Sequence, residues 1–245
     1  MDVTVWTVLI AALATALATG LGALPFLVVP EMSRLWLGVS NAIAGGVMLG
    51  ASVGLLREGA TYGAARTAGG AAAGVVFIVA ARRLLAEREE LAVGTLHGAD
   101  ALKAFMIVAV MTAHSFTEGV GIGVAYGGGE ALGALITVAI AVHNIPEGLA
   151  ISLVLVPRGV SVRNAAGWSV FSSLPQPLMA VPAFVFVEAF EPILPAGLGF
   201  AAGAMLWMVA AELLPEALAE APAKAVALAG AISFAAMIVF QDLVF

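Results

Sequence analysis

Residues 131–156 read ALGALITVAIAVHNIPEGLAISLVLV. The stretch is apolar and long enough to cross about 30 Å of hydrocarbon as a helix. Yet its middle carries His143, Asn144, Pro146 and Glu147. Imidazole and carboxylate groups are costly at that depth, so each is a functional candidate by default. The preceding apolar stretch, 101–126, repeats the arrangement: His114-Ser115-Phe116-Thr117-Glu118-Gly119 matches His143-Asn144-Ile145-Pro146-Glu147-Gly148 as His-x-x-x-Glu-Gly, 29 residues apart.

Outward from these two stretches the chain keeps the same character. Of 245 residues, 62% are hydrophobic and 11% charged, and mean hydropathy is +1.08. Soluble domains carry about a quarter charged residues, so most of this surface must face lipid. Spans of membrane length fall near 3–29, 38–57, 69–86, 101–126, 131–156, 165–187, 194–218 and 224–244, predicting an all-α membrane protein of eight transmembrane helices in a single domain, 1–245. The first span has Asp2 and no basic flank, and is expected to be retained rather than cleaved.

With the N-terminus outside, Arg34, Arg82, Arg83, Arg88, Lys103, Arg158, Arg163 and Lys224 fall inside and only Arg57 and Arg66 outside. That bias predicts a multi-pass cell-membrane protein with both termini extracytoplasmic. The ten Lys and Arg are not clustered for nucleic acid. Zero Cys excludes disulfides, thiolate metal ligands and thiol nucleophiles. Gly/Ala-rich faces, as in GAARTAGGAAAG (63–74), are read as helix-packing surfaces and leave room for a homodimer.

The chemistry follows from the repeat. Positions i and i+4 share a helix face, so each span presents one imidazole and one carboxylate to the same neighbour. Two such helices can surround an ion with two nitrogens and up to four oxygens, a set that suits Zn²⁺ and other first-row ions. Adjacent spans run in opposite directions, which makes the copies an inverted pair. Pro146 is expected to free the Val142 carbonyl and kink the helix beside His143, offering that carbonyl and Asn144 as further oxygens. The same residues could serve a proton-coupled carrier without metal. An intramembrane metal enzyme is the other reading, although the His-Glu-x-x-His string of zinc proteases does not occur.

HNIPEGLAISL (143–153) and HSFTEGVGIGVAYG (114–127) resemble the ZIP (Zrt-/Irt-like) family of metal transporters, prokaryotic type, and GGVMLGASVGLLREGA (45–60) and AGAMLWMVAAELLPEA (202–217) extend the likeness. The resemblance implies a 3+2+3 inverted-repeat bundle and no enzyme activity. It also implies transport of divalent metal toward the cytoplasm by alternating access. Zinc is the expected cargo rather than a cofactor, with Fe²⁺, Mn²⁺ and Cd²⁺ not separable by these ligands. It assigns His114, Glu118, His143 and Glu147 to a primary metal site and Ser115, Asn144 and Gln176 to a second or transit site, with Glu212 as an exit relay.

The chain departs from the family pattern where position 115 is Ser rather than Asn and position 176 is Gln rather than Glu. Two Zn²⁺ against only two carboxylates would repel, so one strongly held ion is expected. Met48 and Met205 are read as packing residues, Glu216 as a boundary carboxylate reaching water, and Pro175, Pro177 and Pro182 as a bend in the sixth span. His97 alone stands where many relatives carry a His-rich loop, and Glu87, Glu89 and Glu90 read as a solvated helix end.

Overall fold

The computed structural model describes residues 3–29, 33–86 and 98–244. His97, Arg88 and the Glu87–Glu90 stretch lie outside the described residues. Among those described, the chain is helical and forms no strand: α1 (Val5–Leu21), α2 (Arg34–Ala86), α3 (Gly98–Gly127), α4 (Glu130–Leu155), α5 (Val162–Ser173), α6 (Pro175–Ala189), α7 (Leu194–Met208), α8 (Leu214–Glu220) and α9 (Ala223–Val244). Seven stretches are long and apolar enough to cross a membrane.

One of the seven, Arg34–Leu84, has 51 residues. Drawn straight at 1.5 Å per residue it would be about 77 Å long. It turns back instead at Gly63, where φ 158° and ψ 94° leave the helical region. A Cβ on Gly59 would sit 2.9 Å from the Thr67 side chain, whereas eight residues of straight helix span about 12 Å. Packing on α7 and α8 confirms the reversal. Gly38 lies against Ala217, Gly45 against Val209 and Gly59 against Leu198, an antiparallel run. Gly70 then meets Ala196, Gly74 meets Phe200, and Arg82 meets Glu212, a parallel one. The connection expected at 58–68 is therefore absent, because both legs stay helical up to Gly63. Thr61, Arg66 and Thr67 bond carbonyls three or four residues back, which satisfies backbone acceptors there.

Three other expected spans are modified by proline. The first ends its α-helix at Leu21 and continues as a 3₁₀ turn, Leu24–Leu27, that contains Pro25. The sixth is split at Leu174, directly before Pro175, while α6 passes through Pro182 without a break. In the seventh, Pro215 cannot donate to a carbonyl one turn back, and the ladder widens into a π-helical turn over Val209–Leu213. In the fifth, α4 stays helical through Pro146.

The helices fall into two packed groups, α1 with α3 to α6 and α2 with α7 to α9, joined mainly where α2 meets α4 and α3 meets α7. Lipid offers no hydrophobic drive for helix association, so close approach through small residues replaces it. Cβ atoms on Gly70, Gly74, Gly199 and Gly203 would each come within 2.1 Å of a backbone oxygen on the opposing helix. Met48 and Met205 are fully buried in the main apolar cluster, as packing residues should be. Large apolar side chains such as Trp6, Ile10, Trp36, Val76, Leu228 and Ile232 point outward.

Candidate metal centre

The glycine of each His-x-x-x-Glu-Gly motif fixes the geometry of the centre. A Cβ on Gly119 would lie 2.5 Å from the Gln176 carbonyl oxygen, and one on Gly148 would lie 1.7 Å from that of Thr19. Backbone contact therefore presses α3 onto α6 and α4 onto α1, at the turn that follows each carboxylate. Between them, one donor atom from each of His114, Glu118, His143 and Glu147 gathers into a group in which all lie within 4.8 Å of one another. The exposures are 0%, 0%, 0% and 2%.

His114 Nε2 is 3.2 Å from Glu147 Oε1 and 3.4 Å from Glu118 Oε1, yet it has no hydrogen-bond partner. These atoms face one another at ion-pair distance. A tetrahedral ion with bonds of about 2.0–2.1 Å separates its ligands by about 3.4 Å, close to the spacing found. His143 Nε2 is in direct hydrogen-bond contact with Glu118 Oε1. Both oxygens of Glu147 are unpartnered. A buried carboxylate in that condition is strongly unfavourable unless a cation compensates it.

The surrounding polar residues come from α1 and from α3 to α6. Gln176 Nε2 donates to Glu118 Oε2 at 2.7 Å. Gln176 Oε1 accepts from the Thr15 hydroxyl at 2.6 Å and from Asn144 Nδ2 at 3.2 Å, and Asn144 Nδ2 also donates to the Thr15 carbonyl at 2.8 Å. Thr19 and Ser173 share a second buried hydroxyl contact at 2.7 Å. Ser115 Oγ and Asn144 Oδ1 are buried without partners. Thr117 bonds the His114 carbonyl, within its own helix.

Each sequence-derived site residue thus has a definite place. The four primary residues converge. Gln176 adjoins them through its amide nitrogen, and Asn144 adjoins them through Gln176. Glu212 stands apart from the four, in the π-helical turn, with its Oε1 3.5 Å from Arg82 Nε and the charges of His114 and Glu147 within electrostatic reach. Glu216 is exposed and accepts from Asn41. Sequence reasoning missed Thr15 and Thr19; their signal was a Thr-x-x-x-Thr on one face of an otherwise apolar helix, which a lone hydrophobicity scan passes over.

The fold and the cluster together define a multi-pass membrane protein with four buried His and Glu side chains, between two adjacent helices, whose donor atoms fit a metal ion. The family profile "ZIP Zinc transporter" matches residues 86–239, more than half of the chain, and the protein belongs to the ZIP zinc transporter family. An Arabidopsis thaliana protein named "Putative zinc transporter" is 50% identical over 240 residues, which is 96% of this chain and 38% of that relative. The chain therefore spans well under half the length of this curated relative.

Proposed function

We propose that the protein carries divalent metal ions, zinc foremost, across a cell membrane toward the cytoplasm through the centre between α3 and α4. The observation that carries this reading is the convergence of His114, Glu118, His143 and Glu147, all buried, with one donor atom of each within 4.8 Å of the others. His114, Glu118, His143 and Glu147 are the ligands. The free oxygens of Ser115 and Asn144 provide a weaker transit position. Two carboxylates balance one divalent ion, so one ion is held strongly and a second passes only transiently. Glu212 receives the ion on its way inward.

The reversal at Gly63 supports eight passes arranged three, two and three, with both termini on the extracytoplasmic side and the first three spans related to the last three. Antiparallel packing of residues 34–62 on α7 and α8 agrees with a likeness between two of the paired segments, Gly46-Val47-Met48-Leu49 and Gly203-Ala204-Met205-Leu206. The ion is cargo rather than cofactor, and the protein is a carrier rather than an enzyme. Fe²⁺, Mn²⁺ and Cd²⁺ compete for the same His and carboxylate donors. A second copy of the chain is a candidate partner.

Uptake of Zn²⁺ into vesicles holding the purified protein, with competing ions, tests the reading. Uptake that is saturable and abolished in Glu147→Ala and His143→Ala upholds it. Uptake insensitive to both substitutions overturns it. Protein that binds no divalent metal yet moves protons would make the cluster a proton relay instead.

A further inference from the structure

Glu118 presents its two oxygens unequally. Its Oε2 accepts from the Gln176 amide, which directs that oxygen away from the centre, while Oε1 faces the two histidines. A neutral amide could in principle face either way, but its neighbours fix it. The chain of bonds begins at the Thr15 backbone carbonyl, which can only accept. That carbonyl draws the NH₂ end of Asn144 toward itself, and the same NH₂ then faces the oxygen end of Gln176. The Thr15 hydroxyl, whose one proton is shared with the Ala12 carbonyl at 2.8 Å, faces that oxygen as well at 2.6 Å. Turning Gln176 over would set its carbonyl against a carboxylate and its NH₂ against another NH₂, with acceptors facing acceptors and donors facing donors. Thr15, Asn144 and Gln176 are all completely buried, so water cannot repair such a mismatch.

We infer that this chain of bonds, from Thr15 through Asn144 and Gln176, sets the metal preference of the centre. It holds Glu118 to one-oxygen ligation and favours a four-coordinate ion such as Zn²⁺ over Mn²⁺. The inference rests on the metal-transport reading above. With His114 Nε2, His143 Nε2, one oxygen of Glu118 and Glu147 as donors, the ion is left short of an octahedral shell. Zinc is satisfied by four N/O ligands, whereas manganese prefers six, mainly oxygen. Freeing Glu118 Oε2 adds the oxygen that manganese lacks. Toward the strongly held ion, Thr15 and the Nδ2 end of Asn144 are positioning groups that act through Gln176; Asn144 meets an ion only through Oδ1, at the transit position.

Equilibrium binding of Zn²⁺ and Mn²⁺ to the purified full chain reads this out directly, as the ratio of the two dissociation constants. Thr15→Val removes the hydroxyl at nearly constant volume, and Gln176→Leu removes the amide. Each is expected to reduce the preference for Zn²⁺ by about tenfold, the scale on which residues supporting a metal ligand act. Thr15→Ser is expected to keep the wild-type ratio. An unchanged ratio in Thr15→Val and Gln176→Leu overturns the inference, and so does loss of both metals in Thr15→Val, since a freed oxygen should add ligation. If Gln176→Leu does not fold, the Thr15 pair carries the test. Wild-type Zn²⁺ affinity in Glu147→Gln would instead refute the metal site itself, an outcome distinct from an unchanged ratio.

Discussion

Glu118 on α3 gives Oε1 to His143 and Oε2 to the Gln176 amide, whereas Glu147, its counterpart on α4, has neither oxygen hydrogen-bonded. The two residues hold the same place in two copies of one motif and are equally buried. Position in the motif therefore does not determine role. Glu118 accepts from the Gln176 amide and contacts His143, which ties it into the packing of α3, α4 and α6. Glu147 accepts no hydrogen bond; His114 Nε2 lies 3.2 Å from its Oε1, and backbone contact between Gly148 and Thr19 holds its turn. In the proposed centre one carboxylate is structural as well as ligating, and the other has both oxygens available.

Substitution of the two carboxylates should separate them most widely. Glu147→Gln is expected to lower Zn²⁺ affinity by at least about a hundredfold, beyond what residues that merely support ligands contribute. It should destabilise the metal-free protein less than Glu118→Gln does, because Glu147 accepts no hydrogen bond and has the His114 imidazole 3.2 Å away. Glu118→Gln should lose metal binding too, and it breaks bonds to His143 and Gln176 at a cost of about 1–3 kcal/mol. Unfolding of both variants in detergent with chelator present checks this; equal losses would erase the distinction.

Acidification should act next most strongly. Protons and metal compete for the imidazole nitrogens, so affinity is full above the histidine titration and falls as pH drops through it, by about tenfold per unit for each proton taken up. Equilibrium dialysis of Zn²⁺ between neutral and acid pH measures the slope. A slope of zero would mean that the histidines do not ligate.

The motif glycines provide a smaller contrast. A methyl on Gly148 would meet the Thr19 oxygen at 1.7 Å and one on Gly119 the Gln176 oxygen at 2.5 Å. Both Gly→Ala changes should destabilise by about 1–3 kcal/mol or more, as overpacking does, with Gly148→Ala the worse. At the far end, Asp242→Asn removes an exposed partner of Arg57 at 3.8 Å. It should change stability by no more than about 0.5 kcal/mol, the usual worth of such pairs.

Much of this was legible in the sequence for a physical reason. An ionisable group in an apolar span has few uses, so His114, Glu118, His143 and Glu147 stood out, and helical spacing put each pair on one face. Hydrophobicity also marked the spans, though it measures bilayer crossing rather than helix length. The legs on either side of Gly63 extend through a polar stretch that reads as a connection. Pro146 leaves α4 helical throughout, while Pro25, Pro175 and Pro215 stand where their helices change form. Thr15 was invisible because a threonine in an apolar helix ordinarily bonds its own backbone. Thr15 does reach the Ala12 carbonyl, and only the packing of α1 on α4 and α6 reveals its second partner. Gln176 read as a weak ligand by resemblance; the direction of its amide depends on neighbours far away in sequence.

The central claim is that the four residues hold one ion. X-ray absorption at the zinc edge, together with metal counting on the purified chain, tests it most directly. The account predicts one Zn²⁺ per chain, with about four nitrogen and oxygen ligands near 2.0–2.1 Å and imidazole scattering from two histidines. Two equally tight ions per chain with a metal–metal signal, or a zinc shell without imidazole, would contradict it.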